Sequence, residues 1–114
     1  MSRDDAFLLD ILESAKLALA YVRGLTWEQF LASREKQDSV IRRLEVIGEA
    51  ARRVSPETRR RMADLPWAEM VRMRNIMIHE YDDVDLQIVW DTVRRDLPAL
   101  VSRLRDLPEG QSQA

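Results

Sequence analysis

Apolar side chains recur every three or four residues along most of this chain, and that period commits it to helix. The longest stripe comes last: Leu86, Trp90, Val93, Leu97, Leu100, Leu104 and Leu107. Its register runs straight through Pro98. The spacing therefore predicts one long helix bent at Pro98, where the proline removes a hydrogen bond to the carbonyl of Arg94. An earlier stripe of Leu8, Leu12, Ala15, Leu19 and Val22 opens at a Ser2/Asp5 capping box and closes at Gly24. Val40, Ile41, Leu44, Ile47, Ala51 and Val54 form another, on a helix expected over about 34–54. Gly48 sits in its middle, where glycine costs about 1 kcal/mol against alanine. Close approach of a neighbouring helix is the expected return. A third long helix opens at Leu65-Pro66-Trp67 and is expected to reach about Glu80. Asp82-Asp83-Val84-Asp85 then breaks it, and Asp85 caps the last helix. Two short pieces complete the set. Thr26 to Gln29 repeats the cap signature, and Ser55-Pro56-Glu57 opens a basic turn holding Arg59, Arg60 and Arg61.

Four long amphipathic helices with short connections predict an all-α fold: an up-and-down four-helix bundle with short additional helices. At 114 residues the chain reads as one domain, expected over 1–107, with 108–114 as a flexible C-terminal tail. It contains no cysteine, which removes disulfides and zinc–thiolate sites and fits a cytoplasmic location. No apolar run approaches about 18 residues, so no membrane span is expected. The polar, acidic start is wrong for a signal peptide. One histidine excludes a di-iron bundle, and neither a Gly-rich phosphate loop nor a Ser/His/Asp set is present. No metal or cofactor is expected.

Charge is uneven. Residues 34–74 carry eleven Arg and Lys against seven acids, a net +4, flanked by segments at −2 and −4. A basic zone could favour a polyanion, although a mixed-sign solvated helix surface has the same composition. Sixteen of the 18 basic residues are arginine, which suits bidentate phosphate contacts.

The basic zone ends at Arg74, and the only histidine, His79, follows five residues later. On a helical wheel Arg74 falls in the middle of an apolar face formed by Trp67, Met70, Val71, Met77, Ile78 and Tyr81. A guanidinium there must be paired or must look into a cleft. Asn75 and His79 sit one turn apart on a different side, where Asn75 could bond the imidazole and set its tautomer. Arg74 and His79 differ by about 140° in azimuth and about 7.5 Å along the axis. Three routes bring them together: a loosened helix, a long reach by Arg74, or a second copy of the chain. In the third, Trp67, Met70 and Met77 become partly interface residues. Such a pair can cleave RNA without a metal, with His79 as base and Arg74 stabilising phosphoryl charge. Plainer readings also stand: His79 as a helix C-terminal cap, Arg74 in an ion pair with Glu45 or Glu49, and Tyr81 as a packing residue.

Arg74-Asn75-Ile76-Met77-Ile78-His79-Glu80-Tyr81 matches the R-x4-H-x-Y pattern of the HEPN superfamily, and the chain resembles its HepT-like (DUF86) branch over roughly 5–105. Gln37 to Glu45, Ile47-Gly48-Glu49-Ala50, Pro66-Trp67 and the run from Val84 to Trp90 support it. The resemblance implies an RNase toxin of a HEPN/MNT toxin–antitoxin pair, working as a homodimer whose two motifs line a cleft. It implies Arg74 and His79 as the catalytic pair, with Asn75 in support. It also implies a minimal nucleotidyltransferase (MNT) antitoxin as partner, able to adenylate Tyr81, and RNA, with transfer RNA favoured, as substrate. The alternative within the superfamily is a non-catalytic module that binds nucleotides or a nucleotidyltransferase.

Overall fold

A computed structural model describes residues 2–79 and 83–106. Glu80, Tyr81, Leu107 and the expected tail at 108–114 lie outside the described residues. Helix α1 (Arg3–Val22) begins at the expected box: the Ser2 hydroxyl accepts from the Asp5 amide, and the Asp5 carboxylate accepts from the Ser2 amide. Gly24, at φ +78°, turns the chain out of it. Helix α2 (Trp27–Leu31) carries the second box, Thr26 with Gln29. Helix α3 (Arg34–Arg53) follows, capped by Ser33. Ser55 caps α4 (Pro56–Arg61), with Pro56 in its first turn. Helix α5 spans Trp67–His79. Asp85 caps α6 (Leu86–Asp91), which continues through a π-helical turn (Thr92–Asp96) into α7 (Leu97–Arg105).

The interruption expected at Pro98 takes the form of that π turn. The Leu97 amide bonds the Thr92 carbonyl, five residues back instead of four. The wider turn absorbs the slip ahead of the residue that has no N–H to give. The apolar stripe keeps facing inward: Val89, Trp90, Val93, Leu97, Leu100 and Leu104 are all buried.

Helix α1 lies between α3 and α7, and that widens the face it buries. Ile11, Ser14 and Ala18 are covered, while Leu12 and Leu19 of the expected stripe are only half-buried. Buried Ser14 accepts a hydrogen bond from Arg43 Nη1 at 3.3 Å. Asp4 ties the start of α1 to the α3–α4 junction. Its carboxylate accepts from the Ser55 amide at 3.0 Å and hydroxyl at 2.6 Å, and from the Thr58 hydroxyl at 2.5 Å. At the other end Phe30, fully buried, stacks obliquely on Trp90 with ring centres 5.1 Å apart, and Trp27 closes the cluster.

Helix α5 packs chiefly on α3, so the bundle has a seam between α5 and 92–105. Asp64 and Arg103 bridge it, with Nε–Oδ2 at 2.6 Å. No helix among the described residues is long and apolar enough to cross a membrane.

Candidate active site on the fifth helix

Helix α5 meets α3 at Gly48. A Cβ there would collide with the Cβ of Arg74 and come within 2.6 Å of the Met70 carbonyl oxygen. The missing side chain therefore lets the two backbones close, as the mid-helix glycine led us to expect. Met70 and Met77, one turn to either side of Arg74, are 6% and 1% exposed. The expectation that they belong to an interface is thus corrected: both lie in the core of the single chain, with Gly48 letting α3 close on the Met70 turn. Trp67 is half-buried and donates its indole N–H to the Met62 carbonyl at 2.9 Å.

Arg74 lies between these methionines along the helix, with its side chain 25% exposed. Its Nη2 stands 3.1 Å from Glu49 Oε2. Its Nη1 donates to Asn75 Oδ1 at 3.0 Å. Its Nε is buried and has no partner among the described residues. Of the two pairings the sequence allowed, Glu49 is the one formed; Glu45 pairs instead with Arg42, at 3.5 Å.

Glu49 is shared. Arg52 Nη2 donates to its Oε1 at 2.8 Å and Arg53 Nε to the same oxygen at 2.9 Å. These bonds, then the charges of Arg52 and Arg74, outweigh partial burial and bring the Glu49 carboxyl down to about 2. Arg74 acts on Glu49 through charge, while the aligned hydrogen bonds come from Arg52 and Arg53. The i+3 and i+4 spacing from Glu49 was the available signal.

His79 is exposed in the last turn of α5. Asn75, expected against the imidazole, is engaged by Arg74; the described residues show no bond between Asn75 and His79. The structure thus joins Arg74, Asn75 and Glu49, and leaves His79 apart on the solvent side. Among the described residues helix α5 is unbroken from Trp67 to His79, and Arg74 turns toward α3. Tyr81 lies outside the described residues.

Two hollows flank α5. One of about 400 Å³ lies over α3 between α1 and α5, with Phe7, Arg42, Arg53, Arg74 and Ile78 on its walls. The other, about 530 Å³, fills the seam between α5 and the π turn; it is floored by Leu44, Ile47, Met70 and Leu100 and reaches neither Arg74 nor His79. Much of the basic zone is matched by local acids, as in Arg34–Asp38, Arg42–Glu45 and Arg52–Glu49. Its surface is therefore of mixed sign. The smaller hollow shares that mixed sign: Asp10, Glu45 and Glu49 line it beside Arg42, Arg53 and Arg74.

A family model described as ribonuclease HepT-like matches residues 11–107. A protein of Thermococcus cleftensis named "Probable ribonuclease HepT" is 39% identical over 101 residues, covering 89% of this chain and 92% of its own. Two proteins named "Putative RNase" are similar as well. The one from Methanocaldococcus jannaschii is 39% identical over 102 residues, 88% of this chain and 94% of its own. The one from Caldanaerobacter subterraneus subsp. tengcongensis is 31% identical over 101 residues, 89% of this chain and 90% of its own. No solved structure gives a significant match.

Proposed function

Because the chain belongs to the ribonuclease HepT-like family, we propose that it is an endoribonuclease in which Arg74 and His79 cleave RNA without a metal at a cleft between two copies. One observation carries this reading. A straight helix holds the guanidinium on its α3 side and the imidazole on its solvent side. That opposed placement favours two copies related by a two-fold axis, each bringing a guanidinium and an imidazole to a shared cleft. Ile78, 42% exposed, and half-buried Val71 lie on the same strip of α5 and supply apolar surface for the pairing.

In the proposed reaction one His79 takes the proton of a ribose 2′-hydroxyl. The oxygen attacks the adjacent phosphorus, and the bond to the 5′-oxygen breaks. The second His79 gives that oxygen its proton, leaving a 2′,3′-cyclic phosphate. Arg74 stabilises the charge that grows on the phosphoryl oxygens, and Asn75 supports Arg74.

Within the same proposal the protein is the cytoplasmic toxin of a HEPN/MNT pair. Its partner is a minimal nucleotidyltransferase that adenylates Tyr81. The added bulk and negative charge would repel RNA. Transfer RNA is the favoured substrate class.

The test is incubation of purified protein with total RNA in chelator, comparing wild type with Arg74→Ala and His79→Ala. Cleavage by wild type alone is the expected result. Equal cleavage by all three rejects the named site. The Arg74–Glu49 ion pair also suits a non-catalytic module that binds nucleotides or a nucleotidyltransferase. Intact RNA in every lane, with saturable nucleotide binding that survives His79→Ala, would select that reading.

A further inference from the structure

Three guanidinium groups converge on the Glu49 carboxylate. Arg52 grips both oxygens, Nη2 on Oε1 at 2.8 Å and Nε on Oε2 at 3.4 Å; Arg53 shares Oε1, and Arg74 stands 3.1 Å from Oε2. One negative charge against three positive ones leaves the cluster at a net +2. A carboxylate facing Arg74 alone would close a neutral pair, and an incoming phosphate would have to break it. Here Arg52 and Arg53 keep the carboxylate engaged, and it holds Arg74 by charge from one side. Asn75 holds the same guanidinium from another side, and Gly48 seats its stem against α3. With Nε buried, the Nη end is what Arg74 presents to the hollow of about 400 Å³.

We propose that Glu49 is a positioning residue for Arg74: by sharing its carboxylate with Arg52 and Arg53, it fixes the guanidinium without cancelling its charge. The inference rests on reading Arg74 as the group that meets the scissile phosphate. A preorganised cation needs no rearrangement when charge develops, so its loss falls on kcat more than on KM.

The experiment measures kcat and KM on a defined RNA oligonucleotide for wild type, Glu49→Gln, Glu49→Ala, Glu13→Gln, Arg74→Lys and the Arg74→Lys/Glu49→Gln pair. Glu49→Gln is expected to lower kcat by about 10- to 100-fold with KM within about threefold. Glu49→Ala should lose more, because glutamine keeps a carbonyl to accept from the arginines. Glu13→Gln removes the same charge from an exposed position on α1 and should change nothing. Glu49→Gln should add no further loss to Arg74→Lys. An unchanged or raised kcat in Glu49→Gln overturns the proposal, as does a loss confined to KM or one that adds fully to Arg74→Lys. Should the Glu49 variants fail to fold, Arg52→Gln/Arg53→Gln decides. It releases Glu49 to close on Arg74, so kcat should fall, and an unchanged kcat overturns the proposal. Arg74→Lys separates the two levels. Wild-type kcat there refutes the catalytic reading, whereas an impaired Arg74→Lys beside a fully active Glu49→Gln refutes the positioning role alone.

Discussion

Replacing Gly48 by alanine inserts one methyl group where α3 and α5 touch. The new Cβ would overlap Arg74 Cβ and stand 2.6 Å from the Met70 carbonyl oxygen, where ordinary contact begins at 3.4 Å. One obstacle is backbone and the other is the root of a side chain, so no rotamer change relieves either. The helices must part by roughly 1 Å, and overpacking of this kind costs about 1–3 kcal/mol. Alanine's better helix propensity returns about 1 kcal/mol. With backbone in the way the upper part of the range applies, for a net loss of about 1–2 kcal/mol. A domain of this size should then melt roughly 5–15 °C lower. The same displacement carries the Arg74 stem away from its seat, and a misplacement near 1 Å costs about 100-fold in rate. Thermal melts and single-turnover RNA cleavage on one preparation test both halves. A variant about 1 kcal/mol more stable than wild type would mean that helix propensity alone operates and the close crossing is not formed. A destabilised variant with full activity would break the link between this crossing and the placement of Arg74.

Asp4→Asn should flatten the acid limb of the stability curve. Hydrogen bonds from Ser55 and Thr58 hold the Asp4 carboxyl below its ordinary value. Its contribution is therefore complete above the unfolded-state value near about 4 and disappears as pH falls through the lower folded-state value. Urea melts between about pH 6 and 2 should show a smaller fall for Asp4→Asn than for wild type, and parallel curves would refute this. Phe30→Ala removes a fully buried ring from the Trp27–Trp90 cluster and should cost about 3–5 kcal/mol by denaturant unfolding; a loss under about 1 kcal/mol would deny that the cluster closes that end of the bundle. His79→Ala, at an exposed helix end, should leave stability within about 0.5 kcal/mol while cleavage falls by about 10²- to 10⁴-fold. A variant that melts early would instead assign the imidazole to capping.

The helices and their ends were legible without coordinates, because both depend on neighbours a few residues away. The boxes at Ser2 and Thr26, the Ser55-Pro56 start and the Asp85 cap are local hydrogen bonds written in consecutive side chains. The stripe from Leu86 likewise gave most of the buried face of the last helix: Trp90, Val93, Leu97, Leu100 and Leu104. What Pro98 would do was only half legible. A missing N–H marks a discontinuity, but that the helix also widens to a π turn there depends on keeping Val93 and Leu97 on the core. Arg74 was visible as a charge on an apolar face, and Gly48 as a weak point needing compensation. That these are one feature, a glycine that seats an arginine, is a contact between α3 and α5 that no local spacing encodes.

The sequence by itself determined which segments are helical, where they start, and that arginine and histidine sit on different sides of one helix, since backbone geometry sets all three. Tertiary structure decided which partner each charge meets. Glu45 and Glu49 lie one turn apart and looked equivalent, yet Glu49 is the one that pairs with Arg74, where Gly48 beside it lets α5 approach. Methionines that looked suited to an interface became core. Electrostatic and packing energies depend on distances across the fold, and those exist only once the helices have chosen where to cross.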